Sequence, residues 1–460
     1  MVRYDLASAR VSRQRNFPEF LQGADLEPIR VGICGFGTVG SGAFAVLSRN
    51  ASDIASRVGR GVEVVHIGSR SDRNGVGETG VLVSQDIFEV VRNPDIDIVV
   101  ELIGGCDDAL ELTLEAVRAG KHVVTANKAL IAEHGNEIFA EAQQAGVTVA
   151  FEAAVAGGIP IIKAIREGLA ANRIEWLAGI INGTGNFILS EMAEHGREFS
   201  DVLAEAQALG YAEADPTFDV EGIDAAHKLV ILASLAFGIP LQFDAVYTEG
   251  ISDLATQDVD YASELGYRIK HLGLARRTDK GIELRVHPTL IPEDRLIANV
   301  NGVMNAVLVE GDAVGPTLYY GPGAGSEPTA SAVVADIIDV ARTLTADPEH
   351  RVPHLAFQAD RLSREPVLPI DTINTAYYLR MSVLDRKGVL SEVAQVIGNA
   401  GMSIEALIQK EPPEGVETAT LILLTSRTTE AELTRALSEL EQLESVCGQV
   451  VRIRMEKLDG

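Results

Sequence analysis

The chain has 460 residues, of which 46% are hydrophobic and 23% charged, a balance typical of a globular protein with about two to four domains. Its formal net charge of −27 argues against nucleic acid or an anionic membrane as a partner, because a strongly negative field repels both. No apolar run approaches the roughly 20 residues that a membrane-spanning helix needs.

The start of the chain and the cysteines both suggest a cytoplasmic protein. Residues 1–28 have no apolar signal core, so we interpret them as an N-terminal extension. The three cysteines form no CxxC pair and suggest neither a disulfide framework nor a zinc site. We therefore expect a reducing cytoplasm as the location.

Residues 29–155 alternate apolar strands with helices, which predicts an α/β domain of the Rossmann type with a doubly wound parallel sheet. A GxGxxG motif follows the first strand and opens a helix, so its free amides are expected to bind a dinucleotide pyrophosphate. The motif consists of Gly35, Phe36, Gly37, Thr38, Val39 and Gly40.

The end of the second predicted strand bears on the choice of cofactor. An NAD site usually presents an acidic residue there, whereas this chain has Ser69 and Arg70, with Arg73 close by. An arginine can pair with a 2′-phosphate, which favours NADP. Use of NAD, with Arg70 as an ordinary surface residue, stays open.

The rest of the chain divides into three parts. Residues 156–360 are mixed α/β and are predicted to form an α+β domain for substrate binding and dimerisation. Prolines and weak periodicity mark residues 361–373 as a linker. Residues 374–460 follow a βαββαβ order, which predicts a compact ferredoxin-like domain.

The stretch YAEADPTFDVEGIDAAHK, residues 211–228, crowds carboxylates around one lysine. Asp224 and Lys228 are spaced i,i+4 on a helix that continues as an almost wholly apolar run. A solvated loop with one ordinary salt bridge is the alternative to a functional site. A buried lysine beside carboxylates has a tuned pKa that suits proton transfer. Lys128 follows a parallel strand at the edge of the sheet where ligands bind.

The segments GFGTVG, TANKAL, FEAAVAGGIPII, NGTGNFIL and AQALGYAEADPTFDVEGIDAAHK together resemble the homoserine dehydrogenases over residues 29–345. The resemblance implies the NAD(P)-dependent interconversion of L-homoserine and L-aspartate 4-semialdehyde in threonine, methionine and isoleucine biosynthesis. It implies that Lys228 donates the proton to the aldehyde oxygen, with Lys128 near the nicotinamide and substrate and Asp224 as a third catalytic residue. Substrate binding would fall to Glu213 and Asp219, although which of Asp219 and Asp224 contacts substrate, and which only positions Lys228, stays open.

The same resemblance implies two further sites. A monovalent cation, usually sodium, would be held mainly by backbone carbonyls of Glu152, Val155, Gly157 and Ile159. Gly325 would lie against the cofactor near the catalytic lysine. The alternative is that it only precedes an ordinary helix N-terminus, capped by Ser326 or Thr329.

The segment LRMSVLDRKGVLSEVAQVIGNAGMSIEALIQ resembles an ACT domain, a small module that binds amino acids and regulates biosynthetic enzymes. The resemblance implies threonine as a feedback effector and a homodimer or homotetramer, because such modules pair side by side. The predicted effector residues are Asp385, Gly388, Val389 and Asn399. A module that only oligomerises is the alternative. We expect that ending the chain near Glu365 leaves activity but removes inhibition by threonine.

Two other functions compete with this interpretation. A different ACT-bearing dehydrogenase, acting on phosphoglycerate or prephenate, would need arginine clusters that residues 205–230 lack. A non-catalytic amino-acid sensor would bind NADP without turnover.

Overall fold

The computed structural model describes residues 27–70, 80–344, 351–413 and 415–459. Residues 1–26 of the predicted extension and Arg73 lie outside the described residues, so what the sequence predicts for them stays a prediction. Within the described ranges, no helix has both the length and the apolar character that a membrane crossing requires.

The first domain is a six-stranded sheet covered by helices. Its strands follow the order β3-β2-β1-β4-β5-β6 and all neighbours run parallel, which is the Rossmann arrangement. The prediction of a doubly wound parallel sheet is confirmed. The elements are β1 (Ile29–Cys34), α1 (Thr38–Arg49), α2 (Ala51–Val58), β2 (Val62–Gly68), β3 (Leu82–Ser84), α3 (Ile87–Arg92), β4 (Ile98–Glu101), α4 (Asp107–Arg118), β5 (His122–Thr125), α5 (Lys128–Ala145) and β6 (Val149–Ala150).

The second part is a mixed domain built on antiparallel strands in the order β12-β11-β7-β9-β10. Helix α10 is buried on almost every side, as its apolar sequence predicts. The elements are α6 (Ile161–Lys163), β7 (Ile174–Ile180), α7 (Gly183–His195), α8 (Phe199–Ala208), α9 (Thr217–Val220), α10 (Ile223–Phe237), β8 (Tyr247–Thr248), α11 (Thr256–Glu264), β9 (Tyr267–Thr278), β10 (Gly281–Pro292), β11 (Met304–Gly311), β12 (Gly315–Pro322) and α12 (Ser326–Thr343).

Helix α12 lies within the range 156–360 that the sequence assigns to the substrate domain, but it packs on the nucleotide-binding sheet. Its buried residues Val333, Ile337 and Val340 share a hydrophobic core with Ile33 of β1. Their i,i+4,i+7 spacing forms one apolar stripe on the helix. The chain therefore returns to its first domain before it enters the third.

The third part has the βαββαβ order that the sequence predicts, with strand order β17-β13-β15-β14 and antiparallel pairs. Its fold is the ferredoxin-like fold of an ACT domain. The elements are β13 (Asn374–Leu384), α13 (Val389–Asn399), β14 (Ile404–Gln409), β15 (Thr418–Thr425), β16 (Thr428–Thr429), α14 (Glu430–Leu440) and β17 (Val446–Met455).

The third domain is fused to the second through one continuous sheet. Strand β17 runs parallel to β10, pairing Thr289 with Arg454 and Leu290 with Met455. The predicted linker is also docked, because the Leu368 amide donates to the carbonyl of Ile282 on β10.

Both faces of the ACT sheet are covered. On β13, Tyr377 belongs to a core with the ACT helices, and its neighbour Tyr378 to a core with α7, α11 and Val220. Ending the chain near Glu365 would expose this shared core, which gives a physical reason to expect loss of stability rather than only loss of inhibition.

We expect Ile453→Ala to destabilise the protein by about 2–5 kcal/mol, because Ile453 is 2% exposed in the core shared by the two domains. Thermal and urea unfolding measure the change. The control Leu390→Ala, at a side chain that is 41% exposed, should change stability by about 0.5 kcal/mol or less. An ACT domain that unfolds in a separate, earlier step would contradict the shared core.

Candidate active site

The three glycines of the GxGxxG turn sit where three different constraints apply. Gly35 has φ +97°, and a Cβ there would lie 2.5 Å from the carbonyl oxygen of Leu102. A Cβ on Gly40 would lie 2.1 Å from the carbonyl oxygen of Gly35, so the helix packs tightly on the turn. A Cβ on Gly37 would meet no atom within 4 Å, which leaves the backbone open to an approaching phosphate.

A cleft of about 230 Å³ opens beside this turn. It follows the carboxyl ends of β1, β2 and β4, where open α/β sheets bind ligands. Arg70 lines the cleft and is exposed, in a position to meet a ribose substituent. The lining consists of Gly35, Phe36, Gly37, Gly68, Ser69, Arg70, Ile87, Leu102 and Ile103.

The start of α12 meets the same turn. Gly325 has φ +121° and immediately precedes Ser326, whose hydroxyl donates to the Thr38 carbonyl at 2.8 Å. Gly42 of α1 has no room for a Cβ, which would lie 2.6 Å from the Ser326 hydroxyl oxygen. The segment around Gly325 is thus held against the turn, where the sequence places it.

Two lysines share one buried carboxylate, and one of them, Lys128, follows β5 at the carboxyl edge of the same sheet. Lys228 Nζ donates to Asp224 Oδ2 at 2.6 Å and to the Ile181 carbonyl at 2.7 Å. Lys128 Nζ lies 3.2 Å from Asp224 Oδ1 and 5.5 Å from the ring centre of Phe218. The structure therefore brings together three of the predicted site residues from α5 and α10.

The local sequence explains these positions. Asn127 caps α5 by accepting the Leu130 amide, so Lys128 becomes the first helical residue after β5. Gly222, with φ +84°, is the N-cap of α10, which places Asp224 in the first turn and Lys228 one turn later.

Burial and charge set the protonation of the cluster. Burial alone would raise the pKa of Asp224, but the ammonium groups of Lys228 and Lys128 outweigh it and lower that pKa to about 2. Burial lowers the pKa of Lys228, and the Asp224 charge offsets part of this effect. Asp224 is thus a fixed anion, whereas the Lys228 ammonium gives up its proton more readily than an exposed lysine.

Asn182 joins the two aspartates, and it is not among the site residues predicted from the sequence. Its amide nitrogen donates to Asp219 Oδ1 at 2.7 Å and to Asp224 Oδ2 at 2.8 Å. Its side-chain oxygen caps α7 by accepting the Gly185 amide. Burial raises the pKa of Asp219. As the first residue of NGTG, Asn182 has the sequence signal of an N-cap, but that signal does not reveal a partner about 40 residues away.

Glu213, predicted to bind substrate, lies outside this cluster. It is exposed in the loop between α8 and α9, and Gln207 donates to its backbone carbonyl at 3.0 Å. Among the described residues no ion pair holds its carboxylate. Its side chain is therefore available to a ligand.

The predicted cation-binding run 152–159 forms a buried turn. Ala156 has φ +50°, an uncommon conformation for a residue with a Cβ. The Glu152 carboxylate accepts the amides of Ile162 and Lys163 at 2.9 and 2.8 Å, so it caps α6. Backbone carbonyls rather than this carboxylate are the oxygens that the run can offer to a hard cation.

A separate group of potential metal ligands comes from α4 and α5. Atoms of Cys106, Glu133 and His134 lie within 4.8 Å of one another. Glu133 Oε1 is already 3.0 Å from Nε2 of His227, whose ring stacks on Phe243. We assign no ion to this group, because one oxygen of the Glu133 carboxylate already forms a hydrogen bond with the buried His227.

The four predicted effector residues do not form one site within a chain. Asp385, Gly388 and Val389 lie at the N-terminal end of α13, whereas Asn399 is its last residue. Eleven helical residues span about 16 Å, so Asn399 lies at the other end of the helix.

Comparisons with known proteins agree with these observations. A family model described as "Homoserine dehydrogenase, NAD binding domain" matches residues 35–152, "Homoserine dehydrogenase" matches 160–338, and "ACT domain" matches 377–445. The homoserine dehydrogenase of Pseudomonas aeruginosa is 66% identical over 434 residues, covering 94% of this chain and 100% of that protein. That of Neisseria gonorrhoeae is 56% identical over 435 residues, with coverage of 94% and 100%.

Solved structures show the same likeness. The crystal structure of a homoserine dehydrogenase from Thiobacillus denitrificans matches with a TM-score of 0.89 at 61% identity, covering 94% of this chain and 99% of that one. A hyperthermophilic archaeal homoserine dehydrogenase in complex with NADPH matches with a TM-score of 0.58 at 28% identity, covering 69% and 98%. The first domain is therefore a nicotinamide dinucleotide-binding domain.

We expect Gly37→Ala to fold normally but to bind the dinucleotide roughly tenfold more weakly, about 1.4 kcal/mol, because the new methyl would point into the open space of the turn. Gly40→Ala should also lower the melting temperature, since its Cβ would clash with the backbone of the turn. Fluorescence titration with NADPH and thermal unfolding measure the two effects. Gly168→Ala, at an open and remote site, is the control. Equal dinucleotide affinity in Gly37→Ala and this control would contradict the assigned approach.

Proposed function

The chain belongs to the homoserine dehydrogenase family, whose members are oxidoreductases, and we propose that Lys128, Asp224 and Lys228 form the centre that reduces L-aspartate 4-semialdehyde reversibly to L-homoserine. The observation that carries the proposal is the buried Asp224 carboxylate between two ammonium groups. Its oxygens lie 2.6 Å from Lys228 Nζ and 3.2 Å from Lys128 Nζ. A pair of cations, one of them directly after β5 of the nucleotide-binding sheet, suits a reaction that creates an alkoxide.

The proton comes from Lys228. Its ammonium has three N–H groups, and two of them are committed to Asp224 and to the Ile181 carbonyl. The third is free to donate to the aldehyde oxygen. A reduced nicotinamide, when bound, would supply the hydride to the aldehyde carbon. The proton of Lys228 would then complete the hydroxyl group. In the reverse direction the neutral amine takes the hydroxyl proton.

The other members of the cluster orient the groups that react. Lys128, above Phe218 and partly exposed, lies on the solvent side of Asp224, where its charge favours the developing alkoxide. The substrate carries an α-ammonium group, and the exposed Glu213 together with Asp219 supplies carboxylates for it. Asn182 holds Asp219 and Asp224 at a fixed separation by donating to both.

NADP is the proposed cofactor, with NAD as the alternative. Support comes from Arg70, a cation at the rim of the cleft after β2, where an acidic residue would favour NAD.

We propose that a monovalent cation, sodium, binds at the turn formed by Glu152, Val155, Gly157 and Ile159, outside the proton-transfer chemistry. The support is the irregular backbone at Ala156 and the engagement of the Glu152 carboxylate elsewhere. The carbonyl oxygens of such a turn suit a hard monovalent ion.

We assign threonine as the effector of the ACT domain, within threonine, methionine and isoleucine biosynthesis. The separation of Asp385 and Asn399 along α13 favours a site shared by two chains, hence a homodimer or homotetramer. Among the described residues, β12 and β14 are the edge strands of the long sheet, and Tyr320 and Leu407 on them are exposed. The free cysteines Cys34, Cys106 and Cys447 accord with a cytoplasmic location.

Lys228→Met is expected to lower kcat for aldehyde reduction by about 10²–10⁴-fold while NADPH still binds, because the variant lacks the proton donor. NADPH oxidation followed by absorbance measures turnover, and fluorescence measures cofactor binding. Lys280→Met, at an exposed lysine in the β9–β10 turn, is the control.

Asp224→Asn adds a pH test of the same role. The Asp224 charge raises the pKa of Lys228, so its removal lowers that pKa further. Reduction needs the protonated lysine and is lost as pH rises through its pKa, so the basic limb of the pH profile should move to lower pH. Full activity in Lys228→Met, or an unmoved limb in Asp224→Asn, would remove Lys228 from this role.

Arg70→Ala should raise KM for NADPH by about tenfold and leave KM for NADH unchanged. The reason is that only NADPH has a 2′-phosphate, and the variant lacks the guanidinium that would donate a charge-assisted hydrogen bond to it. Steady-state assays with both cofactors measure the difference, and Arg57→Ala, an exposed arginine on α2, is the control. Equal losses with the two cofactors would contradict the contact.

A further inference from the structure

A buried arginine of the ACT domain bridges to the substrate domain. Arg454 on β17 is 1% exposed, and its guanidinium pairs with Glu430 of α14 through two hydrogen bonds of 2.6 and 2.9 Å. A third bond, from Nη1 at 2.7 Å, reaches the Glu249 carboxylate of the substrate domain. The Tyr247 hydroxyl donates to that same carboxylate at 2.8 Å. Glu249 is therefore fixed in place by a cation that the ACT domain supplies.

The residues just after Glu249 touch the segment that leads into the catalytic helix. The Ile251 amide donates to the Val220 carbonyl at 2.9 Å, and the Ser252 hydroxyl donates to the Glu221 carboxylate. Gly250 lies so close that a Cβ there would be 2.1 Å from Glu221 Oε2. Residues 249–252, called the bridging loop below, thus support the chain between Asp219 and α10.

A buried histidine closes the other side of this support. His271 on β9 has its pKa lowered to about 4 by burial, so the ring is neutral and its Nε2–H donates to the Glu249 carbonyl at 3.0 Å. A Cβ on Gly222, the N-cap of α10, would lie 3.1 Å from Cε1 of the same ring. The start of the catalytic helix therefore rests on the ring that holds the bridging loop.

We propose that Arg454 and Glu249 are positioning residues for catalysis: the ACT domain completes the active site by holding the bridging loop, which sets where Asp219, Asp224 and Lys228 stand. The contacts form a continuous chain from β17 through Glu249 and Val220 to the first turn of α10. Since a shift of about 1 Å in a reacting group can cost roughly a hundredfold in rate, a support of this kind controls turnover without touching substrate.

Glu249→Gln tests the proposal with little change in shape. We expect kcat for aldehyde reduction to fall, and KM for the aldehyde to rise, by a combined 10- to 100-fold in kcat/KM, while KM for NADPH stays unchanged. A purely structural role would lower the melting temperature, but it would not impair kinetics with the aldehyde while leaving KM for NADPH unchanged.

The matched control is Arg276→Gln. It breaks the ion pair between Arg276 and Glu456, 2.9 Å long and equally placed between the two domains, but it touches no residue of the bridging loop. Loss of kcat/KM in Glu249→Gln no greater than in this control would overturn the proposal.

Two further variants test the same route, and the first of them, Ser252→Ala, also decides the matter if Glu249→Gln folds poorly. Ser252→Ala leaves the domain interface intact and removes only the bond to Glu221, and we expect a severalfold loss of kcat/KM at unchanged melting temperature. In Glu249→Gln/Arg454→Gln, the loss should equal that of the more impaired single variant, because the two residues act in series. Full activity in Ser252→Ala, or simple additivity in the double variant, would contradict the route.

The inference rests on the proposed function, because it assigns importance to where Asp224 and Lys228 stand. The two fail differently. An active Lys228→Met enzyme would refute the proton donor whatever Glu249 does, whereas an inactive Lys228→Met enzyme with a fully active Glu249→Gln enzyme would refute the positioning role alone.

Discussion

The buried carboxylate of Asp224 is the constraint on which the rest of the site depends. An ionised group at 4% exposure is tolerable only with partners, and here they come from three places: Lys228 on the same helix, Lys128 at the start of α5, and Asn182 before α7. Because Lys128 belongs to the nucleotide domain and Asp224 to the substrate domain, the ion pair that tunes the chemistry also docks the two domains at the cleft.

The parts of the fold and site that the sequence predicted share one property: their evidence is local. Strand–helix alternation and the glycine turn predicted the Rossmann sheet, and the βαββαβ order predicted the ACT fold, both of which the structure confirms. The i,i+4 spacing placed Asp224 and Lys228 on one helix face, where they form an ion pair. Only the family resemblance placed Lys128 near them, and its ammonium lies 3.2 Å from Asp224. Motif resemblance predicted the family, which the comparisons confirm.

What the sequence could not predict is nonlocal. Asn182 donates to a carboxylate about 40 residues later in the chain. Helix α12 packs on a sheet that begins about 300 residues before it. Neither contact produces a periodic sequence pattern from which it could be predicted. The parallel joint of β10 and β17 rests on two residue pairs, too few to create a pattern. The proline-rich run 361–373 has the composition of a free linker, yet hydrogen bonds to Ile282 hold part of it along β10.

The joint between the ACT sheet and the substrate domain changes how regulation is best understood. Ionic groups there are buried on both sides: Arg285 is fully buried and binds Glu456, while Asp258 of α11 is fully buried and accepts Arg380 Nη2 at 2.9 Å. Each such charge depends on a partner in the other domain, so separating the domains would leave charges uncompensated. A shift of β17 would therefore reach the start of α10 through Arg454, the bridging loop and His271, with no flexible tether between the two domains.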